Sequence, residues 1–278
     1  MTEYSEVVRT AQRYYNSDDA DTFYAAIWGG QDIHIGVYEN DDEPIRAASQ
    51  RTVARMAGQG ADRLGPDRAV IDLGGGYGGS ARFLASRYGC SVTSLNLSEV
   101  QNERARQLND EAGLGAQIDV VDGNFEHIPF PDGQFDLVWS QDALLHSGNR
   151  AAVLAEVRRV LRPGGELLFT DPMQTDDCDV ATLQPVLDRI QLETLGSPGF
   201  YRRELEGLGF EPVQFVDLSA QLPRHYQRVH DELNDRYETM VDQISREYAD
   251  NMRNGLLHWV RGGETGNLCW GIFHFRLP

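Results

Sequence analysis

A glycine-rich turn near residue 75 constrains the fold of this chain more than any other feature. The apolar run from Ala69 to Ile71 predicts a buried strand, and five of the six residues from 74 to 79 are glycine. The apolar spacing that follows Ser80 predicts a helix. A strand, a glycine loop and a helix together let bare backbone approach a ligand at a helix N-terminus. The sequence therefore predicts an α/β sheet that binds a ligand at this turn.

The glycine spacing fits two families of enzymes. Gly74-x-Gly76-x-x-Gly79 matches the dinucleotide fingerprint. Asp72-x-Gly74-x-Gly76-x-Gly78 resembles motif I of the class I S-adenosylmethionine (AdoMet) methyltransferases. In nicotinamide enzymes an acid commonly ends the second strand and binds the ribose. Here the second predicted strand ends at Asn96, which counts against NAD.

A second motif favours AdoMet. Leu161-Arg162-Pro163-Gly164-Gly165 precedes an apolar strand and resembles the corresponding segment of small-molecule methyltransferases. The resemblance implies a Rossmann-like class I methyltransferase fold, with a seven-stranded, mostly parallel sheet and helices on both faces. It also implies one methyltransferase domain with four parts. These are an N-terminal helical lid (1–58), an AdoMet-binding core (60–220), a helical insertion between strands six and seven (221–263) and a last strand (267–278).

The same resemblance assigns the cofactor contacts. The glycines of the loop are expected to face the methionine part of AdoMet, Asn96 and Gln101 its ribose, and the segment from Asp122 to Phe125 its adenine. Asn96 departs from the family pattern because its amide carries no charge. We therefore expect an Asp at this position to bind AdoMet as well or better. The expected cofactor-binding residues are Tyr15, Asp72, Gly74, Gly76, Gly78, Asn96, Leu97, Gln101, Asp122, Gly123, Asn124, Phe125, Ser140 and Gln141.

Further segments resemble a narrower family, the bacterial sarcosine/dimethylglycine N-methyltransferases that make glycine betaine. They include Ile27-Trp28-Gly29-Gly30-x-Asp32-Ile33-His34, Trp139-Ser140-Gln141-Asp142, Phe169-Thr170-Asp171-Pro172-Met173 and Leu222-Pro223-Arg224-His225-Tyr226. The resemblance implies direct methyl transfer from AdoMet to a small N-methylated glycine, without a metal. Such transfer requires positioning and exclusion of water rather than a covalent intermediate.

The acceptor's chemistry suggests which residues bind it. A carboxylate favours an arginine, with Arg224 preferred over Arg202, and a positive charge developing on nitrogen favours aromatic faces. His146 is a candidate acceptor of the ammonium proton, and Asp142 is expected near the amine. His146 and Asp142 are thus the expected catalytic residues. The expected substrate-binding residues are Trp28, Tyr38, Met173, Tyr201, Arg202, Arg224 and Tyr226.

The composition of the chain limits the kinds of partner that the protein can bind. The formal charge is -18, and none of the 25 basic residues is Lys, which argues against a nucleic-acid partner and suggests a salt-tolerant protein. No apolar run approaches the roughly 20 residues of a membrane span. Because the N-terminus lacks signal-peptide features and the three cysteines are scattered, we expect a cytoplasmic protein, a monomer or a small homo-oligomer.

Three other functions are compatible with parts of the sequence. The same fold methylates carbon or oxygen atoms of ubiquinone-type and natural-product acceptors, which would require a wider apolar pocket. A non-catalytic AdoMet sensor would bind the cofactor without turning it over. A nicotinamide oxidoreductase is the third alternative, and the two methyltransferase motifs disfavour it.

Overall fold

The structure, a computed structural model, describes residues 4–278, so the first three residues of the expected N-terminal extension lie outside the described residues. Three helices precede the sheet: α1 (Glu6–Tyr15), α2 (Asp18–Ala26) and α3 (Ile45–Gln59). The hydroxyl oxygens of Ser5 and Ser17 accept hydrogen bonds from the first-turn amides of α1 and α2. These caps satisfy N–H groups that a helix leaves without partners.

Strands and helices then alternate along the chain, as the sequence predicts. The elements are β1 (Ala69–Leu73), α4 (Gly79–Tyr88), β2 (Ser91–Asn96), α5 (Glu99–Glu111), β3 (Ile118–Asp122), β4 (Phe135–Gln141), α6 (Arg150–Val160), β5 (Leu161–Thr170), β6 (Met173–Gln174), α7 (Gln184–Ile190), α8 (Pro198–Gly207), β7 (Glu211–Asp217), α9 (Gln221–Asp235), α10 (Tyr237–Met240), α11 (Arg246–Glu264), β8 (Leu268–Cys269) and β9 (Gly271–Arg276). Short 3-10 turns lie at Ala61–Arg63, Leu144–His146 and Val180–Leu183.

Seven strands form the main sheet in the order β3-β2-β1-β4-β5-β9-β7. The first five strands in this order, β3, β2, β1, β4 and β5, run parallel to one another. Strand β9 runs antiparallel to both of its neighbours, β5 and β7. The predicted class I methyltransferase fold is confirmed. The strand order reverses between β1 and β4, and ligands of open α/β sheets bind at the carboxyl ends of strands beside such a reversal.

The central strands are buried on both faces, and most of their residues are apolar. Every residue of β4 is buried, and so are four of the five residues of β1. One apolar cluster packs Ile71, Val138 and helix α6 on one face, and another packs Val70, Leu137 and helix α4 on the other. Burial of each such side chain contributes about 1.5–3 kcal/mol, so the sheet is a rigid base for the loops at its edge.

The insertion between β7 and β9 forms a helical layer beyond the strand ends. Its predicted single helical stretch is divided into three helices, with Arg236 and residues 241–245 between them. Buried residues of α9 and α11 join one apolar cluster with those of α2. The predicted last strand is also interrupted, by Trp270 between β8 and β9. None of the helices that the structure describes is long and apolar enough to cross a membrane.

The loop after α2 is largely buried rather than exposed. Ile35, Val37 and Tyr38 are buried, and the amide of Val37 donates to the Thr52 hydroxyl at 3.1 Å. The amide of Gly36 donates to Nδ1 of His225 on α9 at 3.1 Å. The loop is therefore packed between the sheet and the insertion. Only Gly29 and Gly30 at its start have positive φ angles, of 103° and 81°.

Candidate active site

The glycine loop between β1 and α4 has the conformation that its sequence predicts. Gly74, Gly76 and Gly78 have φ angles of 78°, 54° and 75°, in the left-handed region that glycine adopts most easily. An added Cβ at Gly76 would find only the Cδ1 of Ile33 nearby, at 3.6 Å. Because Gly76 lines two cavities, that Cβ would project into empty space that a ligand can fill.

The larger of these two spaces, here called the glycine-loop cavity, lies along the carboxyl ends of β1, β2 and β4. Its empty volume is about 690 Å³ with the mouth included, in the range of small-molecule sites. It contains nine of the fourteen expected cofactor residues: Tyr15, Gly74, Gly76, Asn96, Leu97, Gln101, Asn124, Phe125 and Gln141.

A smaller polar recess lies beside the loop and contains Asp72. Buried polar atoms without a hydrogen-bond partner in the described chain converge there, namely Asp32 Oδ1, His34 Nε2, Asp72 Oδ2 and Gln141 Nε2. Burial raises the pKa of Asp72 to about 7. Asp32 lies 3.6 Å from the His34 imidazole. Burial disfavours the charged ring, but this carboxylate outweighs burial and raises the pKa of His34.

These unsatisfied atoms fit the charged end of AdoMet. A buried polar group without a partner costs about 1–3 kcal/mol. The amino and carboxylate groups of the cofactor's methionine part would supply both donors and acceptors to the recess. The remaining expected cofactor residues, Gly78, Asp122, Gly123 and Ser140, do not line either space.

The expected adenine contact of Asp122 is not seen in this arrangement. Its side chain is 49% exposed, and its carboxylate accepts hydrogen bonds from Asn102 at 2.8 Å and Arg106 at 2.7 Å. Burial opposes the charge of Asp122, but these donors outweigh it and lower the pKa. Ser140 likewise donates inward, to the Leu73 carbonyl at 2.9 Å.

The amide of Asn96 belongs to a network that sequence reasoning did not foresee. Its Nδ2 donates to Gln101 Oε1 at 3.2 Å and to Asn102 Oδ1 at 3.1 Å, and Asn102 in turn donates to Asp122. A carboxylate at position 96 would face these two acceptor oxygens and would bring a second charge towards Asp122. The structure therefore argues against the expectation that Asp would bind AdoMet as well or better.

A second large space, the aromatic cavity, adjoins the glycine-loop cavity. It measures about 960 Å³ with its mouth included. Five residues line both spaces: Ala11, Tyr15, Ile33, Asp142 and His146. The two cavities therefore meet at a wall that carries a carboxylate, a phenol and an imidazole. The aromatic rings lining the cavity are Tyr14, Tyr15, Tyr24, Trp28, Tyr226 and Trp259.

Asp142 is held at this wall in an unusual backbone conformation, with a φ angle of 51°. Its Oδ2 accepts the Ile35 amide at 2.7 Å, and its Oδ1 accepts Thr170 Oγ1 at 2.7 Å and Trp270 Nε1 at 2.8 Å. Burial raises the pKa of Asp142, and the charge of His34 and these three donors oppose that rise. The three donors fix the orientation of the carboxylate at the shared wall.

His146 is paired with Tyr15 across the same wall. The Tyr15 hydroxyl and His146 Nε2 are 2.8 Å apart. Burial, together with the charges of Arg150 and Arg189, lowers the pKa of His146 to about 4. The imidazole is therefore neutral near pH 7. A base of such low pKa is poorly suited to remove a proton from an alkylammonium ion.

Of the seven expected substrate-binding residues, two line the aromatic cavity, Trp28 and Tyr226. Met173 is buried next to Pro172, which does line it. Tyr38 bonds to His225 Nδ1 at 2.9 Å, outside the cavity. Tyr201 is fully buried and donates to Asp171 at 2.6 Å.

Both expected arginines lie elsewhere. Arg224 forms an ion pair at 2.5 Å with Asp41, and Arg202 lies at a surface groove beside Val213. The structure corrects both placements. In α9 the buried positions are Leu222, His225, Tyr226, Val229 and Leu233. Arg224, two residues after Leu222, points to another side of the helix.

One functional candidate was missed by sequence reasoning. Arg189, in the last turn of α7, lines the aromatic cavity. Nothing in the local sequence distinguishes it from a surface arginine, because only the packing of α7 against α11 encloses it. Within the described residues no group of three or more His, Cys, Asp or Glu is placed to hold a metal.

The fold, the glycine loop and the two adjoining cavities define a class I AdoMet-dependent methyltransferase. A family model for the methyltransferase domain matches residues 71–169. The sarcosine/dimethylglycine N-methyltransferase of Halorhodospira halochloris is 58% identical over 271 residues, with 98% of this chain and 97% of the relative covered. That of Aphanothece halophytica is 50% identical over 278 residues, with 100% of both chains covered.

A solved structure agrees with these relatives. A proposed sarcosine dimethylglycine methyltransferase from Galdieria sulphuraria has a TM-score of 0.90 and 42% identity, covering 95% of this chain and 98% of that chain. This chain belongs to the sarcosine/dimethylglycine N-methyltransferase family.

Proposed function

We propose that the chain transfers the methyl group of AdoMet to the nitrogen of sarcosine, of dimethylglycine or of both, with glycine betaine as the final product. The observation that carries the proposal is the wall shared by the two cavities. It brings Asp142, Tyr15 and His146 to the point where a cofactor in one cavity meets an acceptor in the other. The function in the names of the two relatives supports the same reaction.

AdoMet supplies an activated sulfonium methyl when bound, and this chain's residues bind and align the two partners. The glycine loop and the polar recess would hold the methionine part. Asn96 Oδ1 and the amide group of Gln101 remain available to hydroxyl groups in the glycine-loop cavity. Phe125 lies in the same cavity, and the apolar face of its ring is suited to stack on the adenine ring of AdoMet. Such positioning is the main source of acceleration for a reaction without a covalent intermediate.

The aromatic cavity suits a nitrogen that gains positive charge. Trp28 and Tyr226 present their rings, which attract cations through their negative faces. Asp142 adds a carboxylate group, held by three hydrogen-bond donors, at the shared wall. The acceptor nitrogen would become positively charged on gaining the methyl group that bound AdoMet would supply. Asp142 and the aromatic rings therefore stabilise the product side of the transfer.

The protonation state of the acceptor amine determines which role His146 can have. The reacting amine must be neutral, and the low pKa of His146 makes it a weak acceptor for the ammonium proton. We assign loss of that proton to solvent before the acceptor is enclosed. His146 then orients Tyr15, and both close the wall between the cavities.

The test is methyl transfer from labelled AdoMet to glycine, sarcosine and dimethylglycine in parallel, with a ubiquinone-type quinol and a natural-product phenol as competing acceptor classes. We expect label in the N-methyl groups of sarcosine or dimethylglycine products and none in the quinol or phenol. Transfer to carbon or oxygen acceptors alone would overturn the proposal. AdoMet binding without any S-adenosylhomocysteine formation would instead support the sensor alternative.

A further inference from the structure

A cation without an anionic partner lines the aromatic cavity. Arg189 is the one arginine among its lining residues in the described part of the chain. No carboxylate of the described residues lies within ion-pair distance of its guanidinium, although thirteen other arginines form such pairs. Its one hydrogen bond runs from Nη2 to the sulfur of Met252 at 2.8 Å, and a thioether is a weak acceptor.

The position of Arg189 is fixed by packing. Its aliphatic stem lies so close to α11 that a Cβ at Gly255 would be 2.7 Å from Arg189 Cδ. Tyrosine hydroxyls surround the same region, and those of Tyr14 and Tyr248 are 3.1 Å apart. Burial disfavours the charged guanidinium, but the electrostatic influence of the surrounding tyrosines, Tyr14, Tyr24, Tyr248 and Tyr226, outweighs it and raises the pKa of Arg189. The group is therefore a permanent, preorganised cation.

The aromatic cavity also carries the opposite charge. Asp142 lines it, but its hydrogen bonds go to Ile35, Thr170 and Trp270 rather than to Arg189. His34 also lines the cavity, and its charge acts on Asp142. Arg189 and Asp142 nevertheless do not pair with each other, so the cavity is complementary to a small zwitterion. A single guanidinium fork matches a carboxylate, with two parallel N–H···O bonds.

We propose that Arg189 binds the carboxylate of the acceptor and directs its nitrogen towards Asp142 and the shared wall. This inference rests on the proposed function. It makes the enzyme specific for amino acids over amines of the same size that lack a carboxylate. It also assigns the carboxylate to α7 rather than to the Arg224 position on α9.

The test compares dimethylglycine with N,N-dimethylethanolamine, which has a hydroxyl in place of the carboxylate. In Arg189→Gln, the dimethylglycine KM and its Kd for the S-adenosylhomocysteine-saturated protein should rise about 100-fold or more, by analogy with severed buried charge pairs. The Kd for dimethylethanolamine should change less than threefold. Arg189→Lys should lie between wild type and Arg189→Gln, because it keeps the charge and loses the fork.

Arg253→Gln is the matched control, since Arg253 lies on α11 and bonds to Asp250 outside the cavity. It should leave both acceptors unaffected, and an unchanged AdoMet affinity verifies that the Arg189 variants are folded. A dimethylglycine KM within threefold of wild type in Arg189→Gln would overturn the inference while leaving the proposed function intact. Absence of transfer to any N-methylglycine by wild type would overturn the proposed function itself. If Arg189→Gln does not fold, Arg189→Lys is measured in its place. A dimethylglycine KM within threefold of wild type in that variant would then overturn the inference.

Discussion

The glycine-loop cavity and the aromatic cavity are assembled in different ways. The first is lined mainly by strand ends and adjoining loops between residues 74 and 147. The second is lined by side chains from α1, α2, α7, α9 and α11, which are spread from residue 7 to residue 259. The cofactor side thus depends on local backbone geometry, and the acceptor side depends on tertiary packing. Substitutions on the two sides should therefore separate cofactor affinity from acceptor recognition.

The largest effect in this comparison is expected at the shared wall. Asp142→Asn removes the carboxylate that faces the reacting nitrogen. Two unit charges about 4 Å apart interact with an energy of about 4 kcal/mol at an effective dielectric constant of about 20. We expect kcat/KM for dimethylglycine to fall about 100- to 1,000-fold. AdoMet affinity, measured by calorimetry, should change only a few-fold. A comparable loss of AdoMet affinity would place Asp142 on the cofactor side instead.

A smaller effect, confined to the cofactor side, is expected for Gly76→Ala. The new methyl group would occupy space in the glycine-loop cavity, and overpacking of about 1–3 kcal/mol corresponds to an AdoMet affinity loss of about 10- to 100-fold. Gly113→Ala is the matched control, because Gly113 also has a positive φ angle, of 69°, with open space around it. Both variants should lose about 1–2 kcal/mol of stability from left-handed strain. Equal AdoMet affinities would refute the placement of the cofactor.

The variant His146→Gln distinguishes a role of His146 in orienting Tyr15 from a role in removing the acceptor's proton. The variant should lower kcat about tenfold, because the ring that orients Tyr15 is lost. Since the pKa of His146 is about 4, the ring is protonated only well below neutral pH. The pH profile of kcat/KM should therefore keep its shape in the variant, rising as the free amine loses its proton. Loss of an inflection that wild type shows between pH 5 and 8 would establish His146 as a base.

The smallest effect is expected for Arg224→Gln. Its ion pair with Asp41 lies at the surface, and such pairs contribute about 0–1 kcal/mol. The KM for dimethylglycine should change less than twofold. A rise of tenfold or more would show that α9, and not α7, presents the carboxylate-binding arginine.

The sequence was sufficient for the features that depend on local patterns. The strand, glycine loop and helix at residues 69–88 have the expected geometry. Asn96 and Gln101, which the family resemblance assigned to the cofactor, line the glycine-loop cavity beyond the end of β2. Each of these features depends on a segment of the chain shorter than about twenty residues.

The acceptor side was predicted only in part. Trp28, Tyr226 and Asp142 line the aromatic cavity, but Arg224 does not. Pro223 lies near the start of α9, where proline is tolerated. Arg224 is therefore a helical residue, and its direction depends on how α9 packs. Arg189 had no local signal, because its role depends on the packing of a seven-residue helix against a helix more than fifty residues later.

The central claim is that the aromatic cavity recognises a cationic nitrogen beside a carboxylate. Glycine betaine and 3,3-dimethylbutyrate have the same shape, but the second has a neutral carbon in place of the charged nitrogen. Their Kd values for the S-adenosylhomocysteine-saturated protein test the claim directly. We expect betaine to bind at least about tenfold more tightly, since cation–π contacts and Asp142 act only on the charge. Equal affinities would contradict the account.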